Sequence, residues 1–128
     1  VSHISEVITQ MYLIWIQSDN GFSHIAEGDE DCMKEHIANV GPVSVCIDAS
    51  QASFQLYTSG VYSEKNCKKS HFSHAVGCVG YGVDDTLGEA YWIVKNSWST
   101  SWGERGYIRI SMGLDTCNIA DVVCYSVY

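Results

Sequence analysis

The sequence predicts an α+β fold that is mainly β: an antiparallel, barrel-like sheet with one flanking helix. Three observations carry this expectation. Short runs rich in Val, Ile, Tyr and Trp recur along the chain, separated by Gly, Asp and Ser, which is the composition of strands and turns. Only the stretch after Asp29 clearly spaces apolar residues as a helix does. No internal repeat is present, so a single sheet with a helix laid beside it is the simplest way to bury these runs.

Taken in order, residues 7–8 and 11–16 have strand-like composition within an otherwise unassigned segment, 1–20. That segment reads equally as a divergent strand, a fragment end or a sequence outside the fold. Residues 11–16 lack a basic leading region and a small-residue cleavage site, so they are not read as a signal peptide. Asp29 can cap a helix whose first turn holds Glu30 and Asp31, both suited to the positive end of its dipole. Met33, Ile37 and Val40 form its apolar stripe, and Gly41-Pro42 ends it. Residues 43–48 alternate, with Val43, Val45 and Ile47 on one face and Ser44, Cys46 and Asp48 on the other. Residues 50–57 read as an irregular helical turn that buries Phe54, Leu56 and Tyr57, followed by short strands at 60–62, 107–111 and 122–128.

Composition excludes several classes. The chain has 128 residues, 46% of them hydrophobic, which suits one folded domain rather than disorder. Its formal charge of -8 disfavours nucleic acid and anionic membrane surfaces as partners. Lys65, Lys68 and Lys69 form the only basic group and read as a solvated loop. No run approaches the roughly 20 apolar residues of a membrane span. Six cysteines are an even number, but their spacing is not that of a small disulfide scaffold. Cys46 and Cys78 lie in apolar strand-like runs, Cys67 and Cys117 in polar loop-like ones, and Cys32 and Cys124 remain unassigned.

The chain is organised around residues 73–82 and 91–98. Both runs read as strands, and Asp84, Asp85 and Gly88 make the turn between them. An antiparallel hairpin would bring His74, at the start of one strand, to Asn96, at the end of the other. An imidazole held by a carboxamide is half of a nucleophilic site, because the amide oxygen fixes the ring tautomer without adding charge. Trp98, two residues on, could cover that hydrogen bond. A zinc reading of Cys67, His71, His74 and Cys78 needs a helix, which Gly77, Gly80 and Gly82 disfavour; no metal and no cofactor are expected.

His74-Ala75-Val76 followed by Val79-Gly80-Tyr81-Gly82, Asn96-Ser97-Trp98, and Trp102-Gly103-Glu104-Arg105-Gly106-Tyr107 resemble the papain family of cysteine peptidases, on its cathepsin L-like side. Gly41-Pro42-Val43-Ser44-Val45 and Ser59-Gly60-Val61-Tyr62 match the same family in the same order. The resemblance spans about Gly21 to the C-terminus and corresponds to the β-rich domain, so residues 21–128 are expected to form that half of the papain-like fold. It implies that His74 and Asn96 are catalytic and that Trp98 shields them and borders the leaving-group side of the cleft. It implies a Cys67–Cys117 bridge, and such a bridge points to a lysosomal or secreted setting. It places Cys46, Phe72, Ser73 and Val122 around a substrate pocket whose walls, each small or apolar, favour a hydrophobic or aromatic side chain two residues before the cut bond. One departure is Ser99, where the family usually has Gly; a positive φ there would strain Ser.

A thiol nucleophile is missing. The family's Cys precedes its His by about 130–150 residues, in a Cys-Gly-Ser/Ala-Cys-Trp/Tyr setting, and no cysteine here has that setting. The chain by itself is therefore expected not to cleave peptides, and its partners are expected to be a peptide or protein substrate, a helical half carrying the thiolate, and other copies of itself through an exposed apolar face. The alternative is a non-catalytic truncated relative that binds peptides or a peptidase.

Overall fold

The computed structural model describes residues 22–126. The strand-like runs expected within 1–20, and the boundary drawn there, lie outside the described residues. The helices are α1, Glu30–Asn39, and the single turn α2, Ala52–Gln55. The strands are β1 Phe22–Ile25, β2 Val43–Ile47, β3 Val61–Tyr62, β4 His74–Val83, β5 Ala90–Lys95, β6 Tyr107–Ser111 and β7 Val123–Ser126. A 3-10 turn, Thr116–Asn118, precedes β7.

Asp29 caps α1 as expected: its Oδ1 accepts the Cys32 amide hydrogen at 2.9 Å. Met33 is fully buried and Ile37 packs at the core margin, but Val40 is 69% exposed. The amides of Val40 and Gly41 both close on the His36 carbonyl, at 2.8 and 3.1 Å. Val40 is thus the cap of the helix and has left its apolar stripe. Leu56 is likewise 77% exposed, whereas Phe54 and Tyr57 are buried. The turn is too short to give all three residues one face.

The sheet is open and mixed, not a closed antiparallel barrel. Its order is β1-β7-β2-β4-β5-β6-β3, with β1 and β3 at the edges. All pairings are antiparallel except β3 with β6. The exception has a topological cause. The loop 63–73 carries the chain back across the sheet, so β3 and β4 run the same way, and β6 shares that direction through two antiparallel steps. β4 pairs with β2 over residues 74–78 and with β5 over residues 77–83, with a bulge in the second ladder between Cys78 and Gly80.

Trp92, Phe54, Met33, Ile47, Ile108, Ile110 and Ile119 are the largest apolar side chains fully withdrawn from water, each worth about 1.5–3 kcal/mol of burial. Cys67 and Cys117 form a disulfide, and Cys32, Cys46, Cys78 and Cys124 are free. The bridge ties the loop 63–73 to a strained turn. Asp115, Cys117 and Asn118 all have positive φ, at 49°, 52° and 68°, a conformation that non-glycine residues hold only when their surroundings fix it. Asn118 repays part of this by donating from Nδ2 to the carbonyls of Lys68 and His71, at 2.8 and 3.0 Å.

Carboxylates gather on the other side of the same turn. Glu30 accepts the amide hydrogens of Gly113 and Asp115, and Asp115 accepts that of Ala120 at 2.8 Å. Burial pushes the Asp121 carboxyl up to about 7, with the neighbouring Asp115 and Glu27 adding to the rise and Lys69 opposing it.

Two outcomes follow for stability. Cys117→Ser opens a loop of 50 residues' separation and is expected to cost about 3–4 kcal/mol in urea denaturation. Asp121 binds its proton more tightly folded than unfolded, so the folded state gains from protonation. Stability should therefore fall as pH rises from about 4 to 7, and Asp121→Asn should flatten that part of a melting-temperature profile.

Candidate active site

The site is built where β2, β4 and β5 meet. Ile47 at the end of β2 pairs with His74 at the start of β4, and Gly77 of β4 pairs with Lys95 at the end of β5. The register therefore delivers His74 and Asn96 to one end of the sheet. The Asn96 amide hydrogen bonds the Gly106 carbonyl at 3.0 Å, which pins the backbone just past β5.

His74 is completely buried and Asn96 is 3% exposed. Between them, His74 Nε2 lies 2.7 Å from Asn96 Oδ1. The same oxygen accepts the Ser97 amide hydrogen at 2.8 Å. Two donors converging on one atom identify it as the carbonyl oxygen of the carboxamide. His74 Nε2 must then carry a hydrogen.

Trp98 stacks on the imidazole, with centroids 5.4 Å apart and planes 27° from parallel. Phe54 meets the same imidazole edge-on at 6.2 Å, and Trp102 meets Trp98 edge-on at 5.2 Å. The Trp102 Nε1–H is shared between the carbonyls of Phe54 and Gln55, at 3.2 and 3.1 Å. Ser99 follows without strain: its φ is not positive, and its hydroxyl pairs with that of Ser101.

The loop that leads into His74 is clamped from beneath by Asp48, which is fully buried. Its carboxylate accepts from the Ser50 amide and hydroxyl, from the Lys68 amide at 2.8 Å and from His71 Nδ1 at 2.9 Å. Burial alone would raise this carboxyl; the hydrogen bonds from Ser50, Lys68 and His71 outweigh it and hold it down at about 2. The Ser73 amide donates to the Ile47 carbonyl at 2.9 Å, and Ser73 Oγ accepts the Ala49 amide hydrogen at 2.9 Å.

The residues expected to wall a pocket lie at the same end of β2. Cys46 is the direct partner of Ala75, and its amide hydrogen bonds the Val122 carbonyl at 3.2 Å. Phe72, Ser73 and Val122 are half-buried, and Cys46 is buried. None of the buried thiols is prepared for nucleophilic work. Burial, with the neighbouring Cys124, pushes Cys46 up to about 11, and burial pushes Cys78 up to about 12 and raises Cys124. The zinc-like spacing also dissolves, since Cys67 is in the disulfide while His71 and His74 are bonded to Asp48 and Asn96.

Sequence reasoning did not find the supporting parts: Asp48, Phe54, Trp102 and Asn118. The one signal available was an acid ending an apolar strand run at Asp48. Trp102 reads only as part of a family motif, and Phe54 and Asn118 as ordinary aromatic or loop residues, until the chain is folded.

Known proteins match this chain in sequence and in fold. The model for papain family cysteine proteases matches residues 8–127. Cathepsin L of Sarcophaga peregrina is 51% identical over 109 residues, which are 84% of this chain and 32% of that protein. Digestive cysteine proteinase 2 of Homarus americanus is 47% identical over 107 residues, 83% of this chain and 32% of its own length. Among solved structures, the digestive procathepsin L2 proteinase from Tenebrio molitor larval midgut superposes with a TM-score of 0.79 at 37% identity, covering 85% of this chain and 34% of that one. The bromelain protease of Ananas comosus, solved with the E64 inhibitor, gives 0.75 at 39% identity, covering 84% and 49% respectively. The chain spans about a third of the length of these cathepsin and digestive-proteinase relatives. With the family model covering nearly all of it and an imidazole–carboxamide pair at the end of its sheet, this chain belongs to the papain family of cysteine proteases.

Proposed function

We propose that residues 21–128 are the base-bearing half of a thiol endopeptidase of this family, with His74 as general base and acid, Asn96 as its orienting partner and Trp98 as their cover. The observation that carries the reading is the 2.7 Å contact from His74 Nε2 to an Asn96 oxygen whose identity the Ser97 amide also fixes. With Nε2 so engaged, proton exchange with a thiol falls to Nδ1. A cysteine supplied by a helical half would lose its proton to Nδ1, giving a thiolate–imidazolium pair. The thiolate attacks the peptide carbonyl carbon, and the imidazolium gives its proton to the departing amine nitrogen. A thioester remains. His74 then takes a proton from water as the hydroxide adds, and the acid product and the thiol are regenerated. The buried carboxamide contributes no charge, so it orients the imidazolium without trapping it.

Cys46, Phe72, Ser73 and Val122 are the residues proposed to receive the substrate side chain two positions before the scissile bond. Their small and apolar character favours an aliphatic or aromatic occupant there. The disulfide supports an oxidising compartment, either lysosomal or secreted.

The test is reconstitution. The chain is joined to, or mixed with, the helical half of a relative, and cleavage of a fluorogenic peptide with Leu or Phe at that position is followed. Cleavage should appear only in the reconstituted protein. His74→Ala should lower kcat/KM by about 10²–10⁴-fold, with Asn96→Ala falling in the same direction by less. A folded complement that never cleaves, or activity indifferent to His74→Ala, would sink the reading.

A further inference from the structure

We propose that His71 is a specificity-determining residue, which presents one ring nitrogen beside the substrate pocket and selects the charge of the peptide side chain met there; the inference rests on the peptidase reading. His71 Nδ1 lies 2.9 Å from Asp48 Oδ1. The Asp48 carboxylate is fully buried, whereas the His71 side chain is 46% exposed. Asp48 is held at about 2, so it stays ionised and has no hydrogen to give. Nδ1 is therefore the donor, and a neutral His71 ring keeps its lone pair on Nε2. Nε2 makes no hydrogen bond to the described residues. A carboxylate behind an imidazole fixes the ring's orientation and makes its far nitrogen a better acceptor.

The place of this nitrogen follows from the chain. His71 directly precedes Phe72, and Asp48 follows β2, two residues beyond Cys46. Phe72 and Cys46 are two walls of the proposed pocket. Residues 71–74 run towards the base, so His71 stands on the side of that pocket away from the scissile bond. The substrate residue three positions before the bond is the one that meets it. The backbone of His71 is tied down as well. Its amide donates to the Lys68 carbonyl at 3.2 Å, and its carbonyl accepts from Asn118 Nδ2 at 3.0 Å.

Charge decides the selection. With the ring neutral, the His71–Asp48 pair carries one negative charge and offers a lone pair, which suits a Lys or Arg side chain. With the ring protonated, the pair is neutral and Nε2–H is a donor, which suits a carboxylate. The groups facing the pair do not cancel this. The segment after β2 contributes Asp48 and the Ser50 hydroxyl, and the turn 116–118 contributes the Asn118 carboxamide. The Tyr62 phenol of β3 stands near Asp48, with Glu64 beside it. On its own loop, Lys65, Lys68 and Lys69 are exposed, and among the described residues no Lys or Arg pairs with Asp48. The chain's formal charge of -8 opposes a substrate carboxylate. Charges beyond about 8 Å are largely screened at physiological salt, so the contact at Nε2 outweighs it.

Two measurements test this. In the ¹⁵N-labelled chain, NMR of the neutral histidine rings should show His71 as the Nδ1–H tautomer and His74 as the Nε2–H tautomer. In the protein reconstituted with a relative's helical half, two peptides are compared that differ only in Lys or Glu three residues before the cut. The protonation of His74 affects both equally and cancels in the ratio of their kcat/KM values. From about pH 7.5 to about 5.5, where a substrate Glu stays ionised, the Lys-to-Glu ratio should fall about three- to tenfold, the worth of one half-exposed charge-assisted contact. His71→Ala should abolish that fall. Should His71→Ala not fold, the tautomer and the fall in the unsubstituted protein decide. An Nε2–H tautomer at His71, a ratio constant with pH, or a fall that survives in folded His71→Ala would overturn the proposal. A reconstituted protein that never cleaves would sink the peptidase reading, and the isolated chain then decides this one. At neutral pH the Lys peptide, and not the Glu peptide, should move the His71 Nε2 resonance; no such movement would also overturn it.

Discussion

Asn96 Oδ1 is where the structure converges. It accepts one hydrogen from an imidazole on β4 and one from the backbone immediately after β5. The imidazole and the carboxamide are withdrawn from water, so the arrangement persists only while β4 and β5 keep their register. A slip of one residue would turn every side chain to the opposite face. His74 and Asn96 would then part, leaving buried polar atoms at about 1–3 kcal/mol each. The apolar strand faces, with Trp92 and Val94 fully buried, therefore protect the site by holding that register.

The second constraint is how the chain enters β4. Eleven residues of loop between β3 and β4 contain Ser70 with a φ of 58° and would have many conformations if left alone. They are held by a covalent bridge, by the Asp48 carboxylate and by the Asn118 carboxamide. These holds differ in kind. The carboxylate of Asp48, kept at about 2 by its donors, stays ionised in mildly acidic surroundings, so its grip does not weaken there. The Asp115–Asp121 pair behaves in the opposite sense, being relieved by a proton. They act on the two sides of one turn.

The hairpin that carries His74 and Asn96 was legible because its signals are local: β-branched and aromatic runs, with Asp and Gly between them. The capped helix was legible for the same reason, with Asp29 where a cap must be. The errors were also local in origin. Val40 and Leu56 continue an apolar pattern past the point where backbone geometry ends it, and nothing within a few residues marks that point. The parallel pairing of β3 with β6 escaped because it depends on the path of a loop, not on the composition of either strand.

By itself, then, the order of residues determined the strand runs, the helix, the turn chemistry and the presence of an imidazole, a carboxamide and an indole in family spacing. Folding alone decided that the sheet stays open, that Asp48 sits beneath the His-bearing loop and that Phe54 and Trp102 enclose Trp98 against His74. The physical reason is range. Propensity, capping and turn preference act over a few residues, whereas these contacts join positions 20 to 50 apart, and their geometry exists only after the intervening chain has packed.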